Sequence, residues 1–171
     1  MQGRTDPSNT PDDIRERPVL PDDYEAPIDR EGMVAWEWVV EQLEKARNYW
    51  VCTVRPDNRP HAVPVWAAWI EGTLYFDGHP QTRWARNLAN NPALTVHLEN
   101  GNQVVILEGT MQALPSLDRE LAETVVAAFA AKYDYPPEVD ELVRRGMFAL
   151  RPDVVFAWTS FPRTVTRWRF A

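Results

Sequence analysis

The sequence predicts a mainly β protein of the α+β class, an antiparallel sheet with flanking helices that must curl closed or be covered. Three observations carry that prediction. Short runs rich in β-branched and aromatic residues recur between turn signals, at residues 49–54, 61–70, 73–76, 93–98 and 103–110. Asn100-Gly101, the strongest short-range hairpin signal in the chain, joins the last two. Helical periodicity is confined to a few flanking segments rather than alternating regularly with the strands.

Residues 1–30 are crowded with proline, aspartate and arginine, and bury too little apolar surface to offset their own ordering entropy. They are expected to form a flexible arm, or one ordered only by lying along a partner subunit. Residues 31–171 form the folded domain. From 32 to 48 the pattern is helical, with Trp36, Val39, Val40 and Leu43 on one stripe, Asp29 near the N-cap and Arg47 at the C-terminal end. Residues 49–54 and 61–70 read as a hairpin closed by Pro56-Asp57-Asn58-Arg59. Pro64 cannot donate a ladder hydrogen bond, so its position belongs at an edge or a bulge, where a bound molecule can approach the backbone.

Glu71-Gly72 turns the chain into residues 73–76, so three antiparallel strands precede the stretch Thr82-Arg83-Trp84-Ala85-Arg86-Asn87-Leu88. Asp77-Gly78-His79-Pro80 is a turn, after which Arg83, Arg86 and Asn87 fall at helical spacing. Free N–H groups and the positive end of the helix dipole suit an anion such as a phosphate there. The alternative is a solvated helix face whose arginines pair with Asp77 or Glu99. Asn91-Pro92 stops this helix. Ser116 caps a further helix running to Lys132, Val139–Arg145 forms a short one, and residues 148–151, 154–159 and 165–170 supply closing strands.

Composition excludes several classes of function. The formal net charge of −7 argues against a broad nucleic-acid footprint while leaving room for a local basic pocket. Cys52 is the sole cysteine, so no internal disulfide or Cys-rich zinc site can form, and its apolar strand setting reads as a buried thiol. No apolar run reaches the ~18 residues of a membrane span, and the N-terminus is not signal-like, so a soluble, cytoplasmic protein is expected. No nucleophile elbow, Ser/His/Asp set or metal cluster is apparent. His61 and His97 lie in strands and His79 in a turn.

The order of these motifs carries a resemblance. Arg59-Pro60-His61 leads into an apolar strand; Thr82-Arg83 is followed by Arg86-Asn87-Leu88 and Asn91-Pro92; Gln103 opens a strand ending Leu107-Glu108-Gly109. This resembles the pyridoxamine 5′-phosphate oxidase-like split β-barrel superfamily, which includes FMN enzymes and deazaflavin (F420)-dependent reductases. It covers roughly residues 33–171 and implies a split antiparallel barrel of about six or more strands with flanking helices. It also implies a homodimer with cofactor sites at the subunit interface and a small-molecule substrate.

By resemblance, Thr82 and Arg83 hold the cofactor phosphate, with Arg86 and Asn87 continuing that helix start. Ala62, Val63, Pro64 and Val65 present the backbone facing the ring, Gln103 reaches the ring edge or cofactor tail, and Trp158 with Arg167 lies where some members contribute an aromatic and an arginine. Two departures bear on activity. Trp84, counted with the cofactor-binding residues, stands where the oxidases commonly carry a lysine, and its indole either covers a ring or fills the barrel wall; Val63 stands near the position of an arginine, which turns the expectation away from pyridoxamine phosphate oxidation itself. The implied function is hydride transfer between FMN or F420 and a small organic substrate, leaning to F420, with Trp66, Trp158 and Trp168 as candidates to stack on substrate. A non-catalytic flavin carrier and a haem-binding split barrel are the alternatives, the latter through a histidine ligand.

Overall fold

The structure, a computed structural model, describes residues 14–134 and 136–170. Residues 1–13 of the expected arm lie outside the described residues. Within residues 14–30, β1 (Arg15–Glu16) adds a short strand to the sheet, and a 3-10 turn follows at Asp22–Tyr24. Arg17 donates to the carbonyls of Asp29 and Arg163, both at 2.7 Å, fastening this segment to the end of the chain.

Helix α1 (Trp36–Lys45) buries Trp36, Val39 and Leu43 of the expected stripe and leaves Val40 half-buried. Its N-cap is Ala35 and no side chain caps it. Asp29 instead accepts from Glu31 N at 2.9 Å, and Arg47 donates to Lys132 O at 2.9 Å across the fold.

The hairpin β2 (Tyr49–Val54) and β3 (Pro60–Val65) pairs Trp50 with Pro64 and Thr53 with His61. The run expected to continue as one strand to residue 70 breaks at Trp66. Strand β4 (Ala67–Ile70) leaves β2 and pairs with β5 (Thr73–Phe76), so four strands rather than three lie between α1 and the arginine helix. The Tyr133 hydroxyl explains the break, since it holds both the N–H and the C=O of Ala67 at 3.0 Å and removes that residue from the β2 ladder.

Helix α2 (Arg83–Asn90) is followed by β6 (Ala93–His97) and β7 (Val104–Leu114). Helices α3 (Arg119–Ala130) and α4 (Val139–Arg145) come next. The cap of α3 is Asp118, which accepts from Leu121 N at 2.8 Å, and not Ser116. A carboxylate there also meets the positive end of the helix, which a hydroxyl does not. The chain closes with β8 (Met147–Trp158), continuous where two strands were expected, and β9 (Thr166–Arg169).

The sheet is antiparallel and open, with nine strands among the described residues in the order β1-β9-β8-β7-β6-β2-β3, while β5 carries β4 and pairs with β8. Strand β8 is where it splits: Phe148–Leu150 pair with β5, and residues 154–157 pair with β9. Between the two halves Gly109 faces Pro152 while Glu108 faces Val154, so Asp153 is the extra residue of a bulge. A Cβ on Gly109 would stand 2.9 Å from Leu150 Cδ1 and 3.1 Å from Arg151 O, so a larger residue would have to push its neighbours back at this bend. The result is a split barrel with β3 at a free edge, as Pro64 requires.

The core is in two parts. Alternate residues of β4 explain why: Ala67 and Trp69 face the barrel interior with Trp36, Phe76 and Trp168, while Ala68 faces a second cluster built by Phe129, Tyr133, Leu142 and Met147. Helices α3 and α4 therefore cover the outside of β4 and β5. Among the described residues no helix is long and apolar enough to cross a membrane.

Candidate cofactor and substrate site

Thr82 caps α2, its hydroxyl oxygen accepting from Ala85 N at 3.4 Å, which leaves the hydroxyl hydrogen free to donate. Arg83 and Arg86 are exposed on the first turns. The carboxylates that could have neutralised them are occupied: Asp77 is held by both terminal nitrogens of Arg145, one at 2.7 Å, and Glu99 accepts from Asn48 at 3.4 Å. Among the described residues neither arginine has a carboxylate partner.

Two basic residues join Arg83. His61, opposite Thr53 on β3, has its Nδ1 buried without a hydrogen-bond partner, and Arg55, just past β2, has its Nε in the same condition. Burial, then the charges of Arg55 and Arg83, hold the His61 imidazole below its ordinary value. Asp57, whose carboxylate also feels Arg55, is taken up by Arg59 at 2.6 Å and 3.0 Å. The α2 start is thus a cationic corner with donors to spare and, among the described residues, no carboxylate paired with Arg83 or Arg86, which fits the phosphate of a nucleotide-like cofactor.

Asn87 does different work. It is 1% exposed and donates to Thr53 Oγ1 at 2.9 Å, binding α2 to the hairpin that carries His61. Trp84 is also buried, edge-on to Phe148 at 4.8 Å and tilted against Phe76 at 5.6 Å. Gly78 makes room for that indole, since a Cβ there would stand 2.3 Å from Trp84 Cζ2.

Beside this corner lies a cavity of about 560 Å³, lined by Pro64, Val65, Trp66, Gly78, Trp84 and Phe129, with Asp77, Glu141 and Arg145 among its polar wall. Its size is that of a small-molecule site. Of the strand residues expected to face a ring, Pro64 and Val65 reach it; Ala62 is exposed and Val63 half-buried on the same edge strand. Trp66 is 42% exposed and stacked on Tyr133, with ring centroids 4.5 Å apart and planes at 12°.

The remaining expected residues lie elsewhere in the single chain. Gln103 is exposed, beside the end of α1 in a separate 220 Å³ recess. Trp158 is at the far end of β8 from Phe148, about 33 Å along the strand at ~3.3 Å per residue, and packs edge-on to Phe161 at 6.0 Å. Arg167 is spent on Glu16, at 2.7 Å. Trp168 is fully buried against Trp36 at 5.3 Å, and so belongs to the core rather than to a substrate surface. His97 lies parallel to Trp50 and its Nδ1 donates to Leu98 O at 2.8 Å, and His79 accepts from Gln81 N at 3.2 Å.

Sequence reasoning missed Arg55 and the cavity wall from α3 and α4, and left His61 as an ordinary strand imidazole. The hairpin register could have found the first and third, because a turn at residues 56–59 sets His61 opposite Thr53 and brings Arg55 to the same end. Nothing local in the sequence brings Arg145 to Asp77.

The comparisons with known proteins agree with this architecture. The chain is similar in structure to the conserved hypothetical protein Rv2991 from Mycobacterium tuberculosis, with 21% identity, 82% of this chain and 88% of that one covered, and a TM-score of 0.56. It is also similar to General Stress Protein 26 from Bacillus anthracis str. Sterne, with 18% identity, coverages of 71% and 91%, and a TM-score of 0.54. A third similar structure is HutZ, the heme storage protein from Vibrio cholerae, with 18% identity, coverages of 70% and 91%, and a TM-score of 0.54. None of the curated proteins compared matches the chain. The family profile described as Pyridoxamine 5'-phosphate oxidase matches residues 35–159, a span that runs from the cap of α1 to the end of β8 and includes both the cationic corner and the β3 edge. With that match over most of its length, and with a split barrel to go with it, the chain belongs to the pyridoxamine 5′-phosphate oxidase family.

Proposed function

We propose that the protein is an oxidoreductase that binds FMN or F420 and exchanges a hydride with a small organic substrate. The observation that carries this reading is the uncompensated cationic corner: Arg83 at the α2 start beside His61 and Arg55, each of the last two with a buried nitrogen lacking a partner. Such nitrogens cost stability unless something pairs with them, and Arg55 Nε, with His61 Nδ1 in the tautomer that carries its hydrogen there, needs an acceptor. A cofactor phosphate supplies it.

Thr82, Arg83, His61 and Arg55 would hold the phosphate, and the free edge of β3 at residues 62–65 would lie along the ring. When bound, the flavin or deazaflavin supplies the redox chemistry. The chain's own part is to bind, orient and exclude water: Trp84 and Val65 give the cavity an apolar wall, and Asn87 fixes the helix against the hairpin. Gln103, Trp158 and Arg167, separated from the corner within one chain, would join the site only from a second copy, which is consistent with a homodimer. Trp84 in place of a lysine leaves one cation fewer at the phosphate and is the reason pyridoxamine phosphate is not the proposed substrate.

Titration of the purified apoprotein with FMN and with F420, following ring fluorescence, tests this. Saturable binding of either, with bleaching on addition of reductant, supports the reading. Failure of both to bind, or a strong Soret band on adding haem with no flavin uptake, overturns it in favour of a haem-binding split barrel. Bound cofactor that no substrate or reductant turns over identifies a carrier instead.

A further inference from the structure

We infer that the 560 Å³ cavity receives a planar heteroaromatic molecule without negative charge, stacked on the indole of Trp66, and that the Asp77, Arg145 and Glu141 group in its wall turns anionic molecules away. Naming this guest as the substrate rests on the proposal above; the chemistry of the cavity does not.

The stacking surface is built in advance. Tyr133 is 2% exposed, and its hydroxyl accepts from Ala67 N at 3.0 Å and donates toward Arg47 O at 2.8 Å, so the phenol is anchored at its oxygen and packed around its ring. Trp66 lies flat against that ring yet remains 42% exposed where it lines the cavity. Core packing does not account for a tryptophan held rigid from one side and left open on the other. A flat ring placed against it loses little entropy to side-chain ordering, because the ordering is already done.

The charge of the wall sets the second half of the inference. Arg145 donates to both oxygens of Asp77 and, through Nε, to Glu141 Oε1 at 2.9 Å. Two carboxylates meet one guanidinium, which leaves an excess negative charge on the wall. Asp77 is fixed further by Gly78 N at 2.6 Å, so the group cannot easily turn away from a guest. Arg55, His61 and Arg83 do not line this cavity, so anion binding and guest binding are divided between two adjoining places. A carboxylate brought into the cavity meets like charge in a partly desolvated setting, and a neutral or cationic ring does not.

The test uses three probes of one shape: N-methylquinolinium, quinoline and quinoline-6-carboxylate, followed by the indole N–H resonance of Trp66 in the apoprotein and in the cofactor-loaded protein. The first two are expected to shift that resonance, and the carboxylate to bind at least about tenfold more weakly at low salt, the gap closing as salt screens it. Glu141→Gln should narrow the gap several-fold, and Trp66→Leu, at an exposed site and followed by equilibrium dialysis because it removes the reporting indole, should weaken all three probes. Equal affinity for the carboxylate, or unchanged affinities in Trp66→Leu, would overturn the inference. If FMN and F420 fail to bind while the probe ranking holds, the redox proposal falls and this one stands; if the cofactor binds and the ranking is absent, only this one falls.

Discussion

Asn87 Nδ2 donates to Thr53 Oγ1 at 2.9 Å, with both side chains buried, and this single bond links the helix that carries Arg83 to the hairpin that carries His61. Thr53 Oγ1 in turn lies 3.5 Å from His61 O. Asn87→Ala leaves the Thr53 hydroxyl buried with one partner fewer, so it is expected to lower unfolding free energy by about 1–3 kcal/mol and to weaken cofactor binding as well. Chemical denaturation of Asn87→Ala, Thr53→Val and the double variant checks this. The two losses should be clearly non-additive, since both delete one interaction.

Arg83→Ala separates function from folding. Removing a charge-assisted contact should cost about 2–3 kcal/mol of cofactor affinity. Because Arg83 is exposed and has no carboxylate partner among the described residues, the melting temperature of the apoprotein should not move. Paired titration and thermal melts decide it. Unchanged affinity would take Arg83 out of the site, and a collapse of apo stability would assign it a structural role.

Gly78→Ala tests the close approach under the cavity. The added methyl would sit 2.3 Å from Trp84 Cζ2, so the indole must shift, at a cost of about 1–3 kcal/mol for overpacking. Trp84 tilts against Phe76 and Phe148 in the same cluster, so near-ultraviolet circular dichroism should change with it. A native-like spectrum with unchanged stability would contradict the tight fit.

Lys132 gives the protein a pH dependence at alkaline values. Its Nζ donates to Tyr49 Oη at 2.7 Å and lies over the Tyr49 ring at 5.2 Å, and burial lowers its pKa to about 8, with Glu44 opposing. Burial also moves the Tyr49 phenol upward, so that group stays protonated in the fold. A lysine whose folded value lies below its unfolded one contributes stability that is complete above the unfolded value and lost as pH falls through about 8. Between pH 8 and 10, wild type should gain on Lys132→Met by no more than about 1 kcal/mol per pH unit, less for the partial exposure of the amine. Denaturant melts at several pH values measure the difference. A flat profile would show that the amine titrates normally.

Much of the fold was legible because its signals are local. The β-branched runs, the Asn100-Gly101 turn and the apolar stripe of α1 each state their own conformation, and Pro64 correctly marked an edge. What was not legible depends on contacts distant in sequence. The break at Trp66 follows from the Tyr133 hydroxyl, and the continuity of β8 through Pro152 follows from the bulge opposite Gly109. In the candidate site, Thr82 and Arg83 stood out through their helix-start pattern. Asn87 matched the same pattern and is engaged by Thr53, while Arg55 and Arg145 matched none. Gln103, Trp158 and Arg167 came from resemblance alone, and one chain does not bring them to the corner.

Leu114 and Met147 face each other as the last pair between β7 and β8, so the excursion carrying α3 and α4 departs and returns at neighbouring points on the barrel. Everything between them is, in effect, a cassette clipped onto a finished scaffold. Exchanging it would replace Phe129, Glu141 and Arg145, and with them the Tyr133 that holds Ala67, while leaving the β7–β8 pairing and the α2 corner in register. Selectivity for the guest and grip on the cofactor could thus be retuned separately, by grafting one insert without touching the other component.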